Sequence, residues 1–226
     1  MKHAYDDLEY GENRIEGLKV TIVEDSDPES PREWDNVGTM VCWHRNYTLG
    51  DEQPSEDPSQ YLSGLVADEM DDTDLDYDED EELYVERAQA LLQEKYVILP
   101  LFLYDHSGIS MSTSTGYPYN DPWDAGQVGY IYASKAKLKE EGVEDGEAAL
   151  RGEVETYDQY LRGEVYGYTV EDENDEVLDS CWGFFGVDFV KQEAINSVNW
   201  WIEDRRKERI EHVKTMIRNH VPLNVR

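Results

Sequence analysis

The residues best suited to metal chemistry in this chain are two cysteines and two histidines. Cys42 and His44 stand two apart, so on a strand they would share a face. His106 follows the most apolar segment, and Cys181 lies in a later predicted strand. Together the four could form a Cys/His zinc site. No C-x-x-C pair accompanies them, however, and buried thiols serve equally well as small core hydrophobes. The expectation is no cofactor, with zinc as the alternative. A second set lies in the run DDTDLDYDEDEE. Asp72, Asp74 and Asp76 match positions 1, 3 and 5 of a calcium loop, but Tyr77 stands where the turn needs glycine and Leu83 where a bidentate glutamate belongs. Asp105, His106 and Ser107 are acid, base and nucleophile by type, yet neighbours on extended chain point to opposite faces. The sequence contains no G-x-S-x-G elbow, phosphate-binding loop, G-x-G-x-x-G or H-E-x-x-H. His44, Asp105 and His106 stay as catalytic candidates without a reaction to assign them.

Carboxylates outnumber everything else that is charged: 52 acidic residues against 20 basic, net −32. Such a field repels nucleic acid and anionic membranes, because binding a polyanion needs cations that displace its counterions. Three readings of the charge stay open. The chain could imitate a nucleic acid in a protein's cationic groove, be adapted to a salty cytoplasm, or simply carry a solvated surface. No stretch approaches the ~20 apolar residues that span a bilayer. The opening MKHAYDDLEYGENR has no apolar segment typical of a secretory signal, and two cysteines make no dense disulfide framework. These features read as a cytoplasmic protein.

The elements that must position these side chains can be read from periodicity. Residues 14–23 read as a first strand and 37–44 as a second. Residues 51–82 hold fifteen acids and no Lys or Arg, which predicts a long acidic loop with the island YLSGLV as one turn of helix. A helix is expected over 83–96 with Val85, Ala88, Leu91 and Leu92 inward, then a buried strand over 97–104 in which Pro100 requires an edge, bulge or bend. Residues 105–124 read as a loop, 126–134 as a strand and 135–141 as a short helix. A helix over 147–161 would turn Ala149, Val154, Tyr157 and Leu161 inward. Strands at 165–170 and 177–183 around EDENDE form a hairpin. A long helix over 187–221, bending near Asp204, would bury Ile195, Val198 and Ile202 and continue the same face through Ile210, Val213 and Ile217. From Arg205 to Arg226 the charge reverses to seven basic and two acidic residues. The whole reads as one α+β domain spanning 1–226, with a mostly antiparallel sheet packed with helices.

Five blocks occur in order: WDNVGTMVCWHRNYTLGDE (34–52), VILPLFLYDHSGISMST (97–113), PWDAGQVGYIY (122–132), EVETYDQYLRGEVYGY (153–168) and DSCWGFFG (179–186). This series resembles a family of small hypothetical proteins carried by phages, archaeal viruses and other prokaryotic mobile elements. The resemblance covers about half the chain and implies no particular activity. It directs attention to polar and aromatic residues at strand ends and loops: Trp34, Asp35, Asn36, Arg45, Trp123, Asp124, Gln127, Tyr157 and Asp158, besides His44, Asp105 and His106. Asp35 and Arg45 could equally form a structural ion pair. With Asp71, Asp72, Asp74, Asp76 and Asp78 of the acidic run, these are the candidate binding residues. The function expected is a non-enzymatic accessory protein of a virus or mobile element that blocks a host nucleic-acid-binding protein. The alternative is a salt-adapted small enzyme or ligand-binding domain whose site gathers His44, Asp105, His106 and Trp123.

Overall fold

The computed structural model describes residues 8–71, 81–114 and 125–220. In chain order come strands β1 (Gly11–Ile15), β2 (Leu18–Glu24) and β3 (Thr39–Cys42), helices α1 (Pro58–Gly64), α2 (Ala67–Asp71) and α3 (Glu81–Lys95), and strands β4 (Tyr96–Asp105), β5 (Ile109–Ser112) and β6 (Ala125–Ser134). Helices α4 (Lys135–Glu140) and α5 (Gly146–Leu161) follow, then β7 (Val165–Glu171), β8 (Val177–Phe185) and α6 (Val187–His220). Every strand pairing in the two sheets is antiparallel, as expected of this α+β fold. The backbone divides into two compact units, residues 1–29 with 163–226 and residues 30–162.

The first unit is the sheet β1-β2-β7-β8. Period-2 alternation turns Leu18, Val20 and Ile22 inward beside Tyr168 and Val170, and α6 lays Val190, Ala194 and Val198 across them at helical spacing. The single strand expected over 14–23 is instead a hairpin. Glu16 and Gly17 take φ of 47° and 79°, the paired left-handed conformation of a two-residue turn, which glycine adopts without steric cost. The apolar face of α6 also stops earlier than periodicity suggests. Val190 and Ala194 are buried, while Ile210, Val213 and Ile217 are exposed, because the sheet beneath them has ended.

The second unit is the sheet β3-β6-β4-β5. Met40, Cys42, Leu99, Leu101, Leu103, Ile131 and Ala133 form its inner face, and α5 covers it with Leu150, Val154 and Tyr157. Leu150, and not the expected Ala149, is fully buried. Pro100 lies in the part of β4 that β5 does not reach, and the register shifts just beyond it between Leu101 and Phe102. That resolves the missing donor as anticipated. Gly129 of β6 is required for the sheet to close: a Cβ there would sit 2.0 Å from the Val41 carbonyl oxygen.

In the acidic segment residues 51–57 form no helix, as a loop would, but the helical turn expected at YLSGLV is more extensive than one turn. Residues 58–71 form α1 and α2, and their apolar residues Val66 and Met70 are buried with Ala88, Leu91 and Leu92 of α3 in a small core of their own. Asp57 caps α1 by accepting from the backbone N–H groups of Ser59 and Gln60, with Pro58 at the first helical position. Val85, expected inward, is exposed, and the inward face of α3 is Tyr84, Ala88, Leu91 and Leu92. Asp72, Asp74, Asp76, Asp78, Trp123 and Asp124 lie outside the described residues. Among the described residues no helix is long and apolar enough to cross a membrane.

Candidate functional site

The rim of the second unit brings three sequence candidates together through a residue not anticipated. Beyond β3, His44 stacks on Tyr47, with ring centroids 5.0 Å apart and planes 15° from parallel. Its Nδ1 accepts from the backbone N–H groups of Asn46 and Tyr47, at 3.3 and 3.2 Å. In the neutral ring this leaves the proton on Nε2. The Tyr47 hydroxyl hydrogen-bonds the carboxylate of Asp105, and this bond makes the Tyr47 phenol hold its proton more tightly than usual. Asp105 ends β4 at the tight β4–β5 turn. There the next residue, His106, stacks on Tyr104 at 5.9 Å, and its backbone N–H donates to the Gly108 carbonyl. Imidazole, phenol and carboxylate thus follow one another along one edge. Such a set can bind a polar ligand or pass a proton.

A second polar centre, buried, was missed altogether by sequence reasoning. The Arg32 side chain is 6% exposed and is gripped on three sides. Its Nε and Nη2 donate to the two oxygens of Asp51 at 2.9 and 2.6 Å, Nη1 donates to Glu153 at 2.8 Å, and Nη2 also donates to the Gly38 carbonyl at 2.8 Å. The other Glu153 oxygen accepts from the backbone of Val37 and Gly38, and Asp51 accepts from Met40 N. Burial works against the charge on Arg32, but the bonds to Asp51 and Glu153 outweigh it and raise its pKa. Every strong donor and acceptor here is used, so this is a structural knot joining β3, the 50–52 turn and α5. Arg32, in a proline-led turn, takes the structural pairing expected of Arg45; both Asp35 and Arg45 are exposed.

A third feature is aromatic. Trp43 packs edge-on against Tyr61 of α1 and Tyr130 of β6, and Tyr61 and Tyr96 both pack against Tyr132. The Tyr61 and Tyr132 hydroxyls are 2.8 Å apart, and Tyr61 donates to Glu52 at 2.7 Å. Burial, then the bonds to Tyr132 and Glu52, raises the pKa of Tyr61. This cluster fastens α1 to the outer face of the sheet.

The remaining candidates have structural duties. Tyr157 is buried, and its hydroxyl accepts from Gly50 N at 3.1 Å. Asp158 accepts from Met111 N at 2.7 Å and pairs with Arg162 at 3.0 Å. Asn36 donates to the Pro31 and Trp34 carbonyls. Trp34 and Gln127 are exposed, and Asp71 is exposed at the end of α2.

Comparison with family models, with curated proteins and with solved structures finds no match. The chain must be read from its own geometry.

The four Cys and His residues named for zinc stand as follows. Cys42 faces the core at the last position of β3, and its thiol is pushed up to about 12, first by burial and then by the charge of Asp51. His44 lies past the end of β3. Cys181 is exposed in the other unit, and both thiols are free. Among the described residues no three or more His, Cys, Asp or Glu side chains converge as a ligand set.

Proposed function

We infer that this chain is a binding protein that presents carboxylates to a cationic groove of a nucleic-acid-handling protein. One observation carries the reading. From residue 46 to residue 86 there are sixteen acids and no Lys or Arg. Residues 58–71 and 82–86 of this stretch are held on a helical layer with its own apolar underside, Val66 and Met70 against Ala88, Leu91 and Leu92. Asp68, Asp71, Glu82 and Glu86 are exposed on that layer. Carboxylates fixed on helices keep their spacing, as phosphates do on a duplex, and need not be ordered at the moment of binding. Pairing with Arg and Lys in a groove gives fast association that weakens with salt. The resemblance to mobile-element proteins suits a protein that disarms a host factor.

The test is affinity capture from host lysate with two baits: the natural chain, and a chain carrying Asp68→Asn, Asp71→Asn, Glu82→Gln and Glu86→Gln. The expected result is retention of nucleic-acid-handling proteins by the first bait only, with release by added duplex DNA. Equal retention by both baits, or recovery of no such protein, would contradict the reading.

A second reading has its own observation: the Tyr47 bridge between His44 and Asp105. In it the rim of the second unit binds a small polar ligand and the acidity is adaptation to salt. Unfolding on removal of salt, together with chemical-shift changes confined to Tyr47 and His106 on screening polar metabolites, would favour it over the first.

A further inference from the structure

All fifteen residues from Arg206 to His220 of α6 are exposed. An isolated helix of that length is marginal in water, so its order calls for packing against something. It is built to pack: Ile210, Val213, Met216 and Ile217 recur at helical spacing along one side, each 43 to 57% exposed. Around them stand Arg205, Arg206, Lys207, Arg209, Lys214 and Arg218, against only Glu208 and Glu211. The arm is a cationic amphipathic helix on a chain of net charge −32.

Charge decides what can cover it. Two arms laid on each other would bring together two surfaces that each carry six Arg or Lys against two Glu, and surfaces of like net charge repel. The arm instead fits a surface that is both acidic and apolar, and the same unit offers one in the β7–β8 hairpin. Glu173, Asp175 and Glu176 are exposed in its turn. Along β8, an edge strand, Val177 and Trp182 are 57% and 47% exposed. An exposed apolar edge strand is a surface that folded proteins ordinarily cover. Within one chain the two features already lie close. Asp172, Glu173 and Asn174 of the turn line an open cleft of about 780 Å³ with Arg205, Arg209 and His212 at the base of the arm. Arm and hairpin therefore emerge at the same end of the unit. Two copies related by a twofold axis can each give an arm and receive one, which closes the assembly.

We propose that the exposed half of α6 is a docking arm for the β7–β8 hairpin of a second copy of this chain, so that two copies embrace reciprocally. The apolar residues of each arm cover Val177 and Trp182 of the other copy, and its arginines meet Glu173, Asp175 and Glu176. At physiological ionic strength the Debye length is about 8 Å, so the repulsion of the two acidic bodies is screened while charges in contact still act. This proposal is independent of the function inferred above.

Sedimentation velocity on the full chain across the micromolar range provides the test. The natural chain is expected to reach twice the 26.2 kDa of one copy. A chain carrying Arg206→Glu, Arg209→Glu and Arg218→Glu, and another carrying Glu173→Lys, Asp175→Lys and Glu176→Lys, are each expected to stay monomeric. Mixed together they should form a dimer, because the reversed arm then meets the reversed hairpin and the natural arm the natural hairpin. A third variant, Ile210→Ser with Ile217→Ser, keeps every charge and should weaken association by about tenfold or more. The proposal is overturned by a natural chain that stays monomeric, by charge-reversed variants that each dimerise as tightly as it does, or by a mixture of folded variants that does not associate. If either charge-reversed variant does not fold, the serine variant decides: undiminished association overturns the proposal.

Discussion

Acidic side chains of the second unit do two opposite jobs. The side chains of Asp51 and Glu153 are 23% and 14% exposed, and they accept from one guanidinium and three backbone N–H groups. Asp68, Asp71, Glu82 and Glu86, on the helical layer, face water. The residue type is the same and the physical role differs, because desolvation makes a carboxylate depend on its partners whereas water satisfies it without any. A net charge therefore says little by itself. What matters is which carboxylates are already used, and the acidic layer holds those that remain free to act on another molecule.

The contrast predicts unequal costs. Replacing Arg32 with Met should strand two partly buried carboxylates and destabilise the fold by about 1–3 kcal/mol, which urea unfolding will measure. A loss below about 1 kcal/mol would show that water compensates them and would erase the distinction. Next in size is the truncation of the apolar underside: Val66→Ala should cost about 1–3 kcal/mol, with loss of α1 and α2 signals before global unfolding. Neutralising Asp68, Asp71, Glu82 and Glu86 together should leave stability within about 0.5 kcal/mol per site, or raise it in low salt as mutual repulsion is removed. A large loss would mean these carboxylates are structural after all.

Titration sharpens the same contrast. The pKa of Tyr61 is raised in the folded state, so folding favours the protonated phenol. That stability is fully present below the unfolded tyrosine value of about 10, and it is lost as pH rises further, toward the folded value. Ultraviolet titration should find phenols that ionise only as α1 loosens, and Tyr61→Phe should abolish part of that late step. The smallest effect concerns the thiols. A maleimide at neutral pH should label Cys181 and spare Cys42, whose burial holds its proton to about 12. Labelling of both in the folded chain would place Cys42 outside the core.

Much of the fold was legible because the signals were local. The β7–β8 hairpin, the strand around Val97–Tyr104 and the helix α5 follow from periodicity and turn residues. The first hairpin was hidden because a lone Glu-Gly turn interrupts an otherwise continuous β-branched run. Only the island YLSGLV was read as helix within the acidic segment, because charge density around it masked Met70, whose burial depends on α3. The site was legible only in part. His44, Asp105 and His106 were named from their types, but Tyr47, which joins His44 to Asp105, carries no sequence signal of that role. Arg32, Asp51 and Glu153 could not have been found, since Arg32 and Glu153 meet across 121 residues.

Everything proposed for the carboxylates requires that the acidic segment be a folded layer and not a solvated tether. Native-state hydrogen exchange tests this most directly. The amides of Tyr61, Leu65, Val66 and Met70, which donate to Asp57, Leu62, Ser63 and Val66, should exchange far more slowly than unfolded chain in the same salt, and together as one unit. Exchange of all four at the unfolded rate, while the β4–β6 amides remain protected, would contradict it.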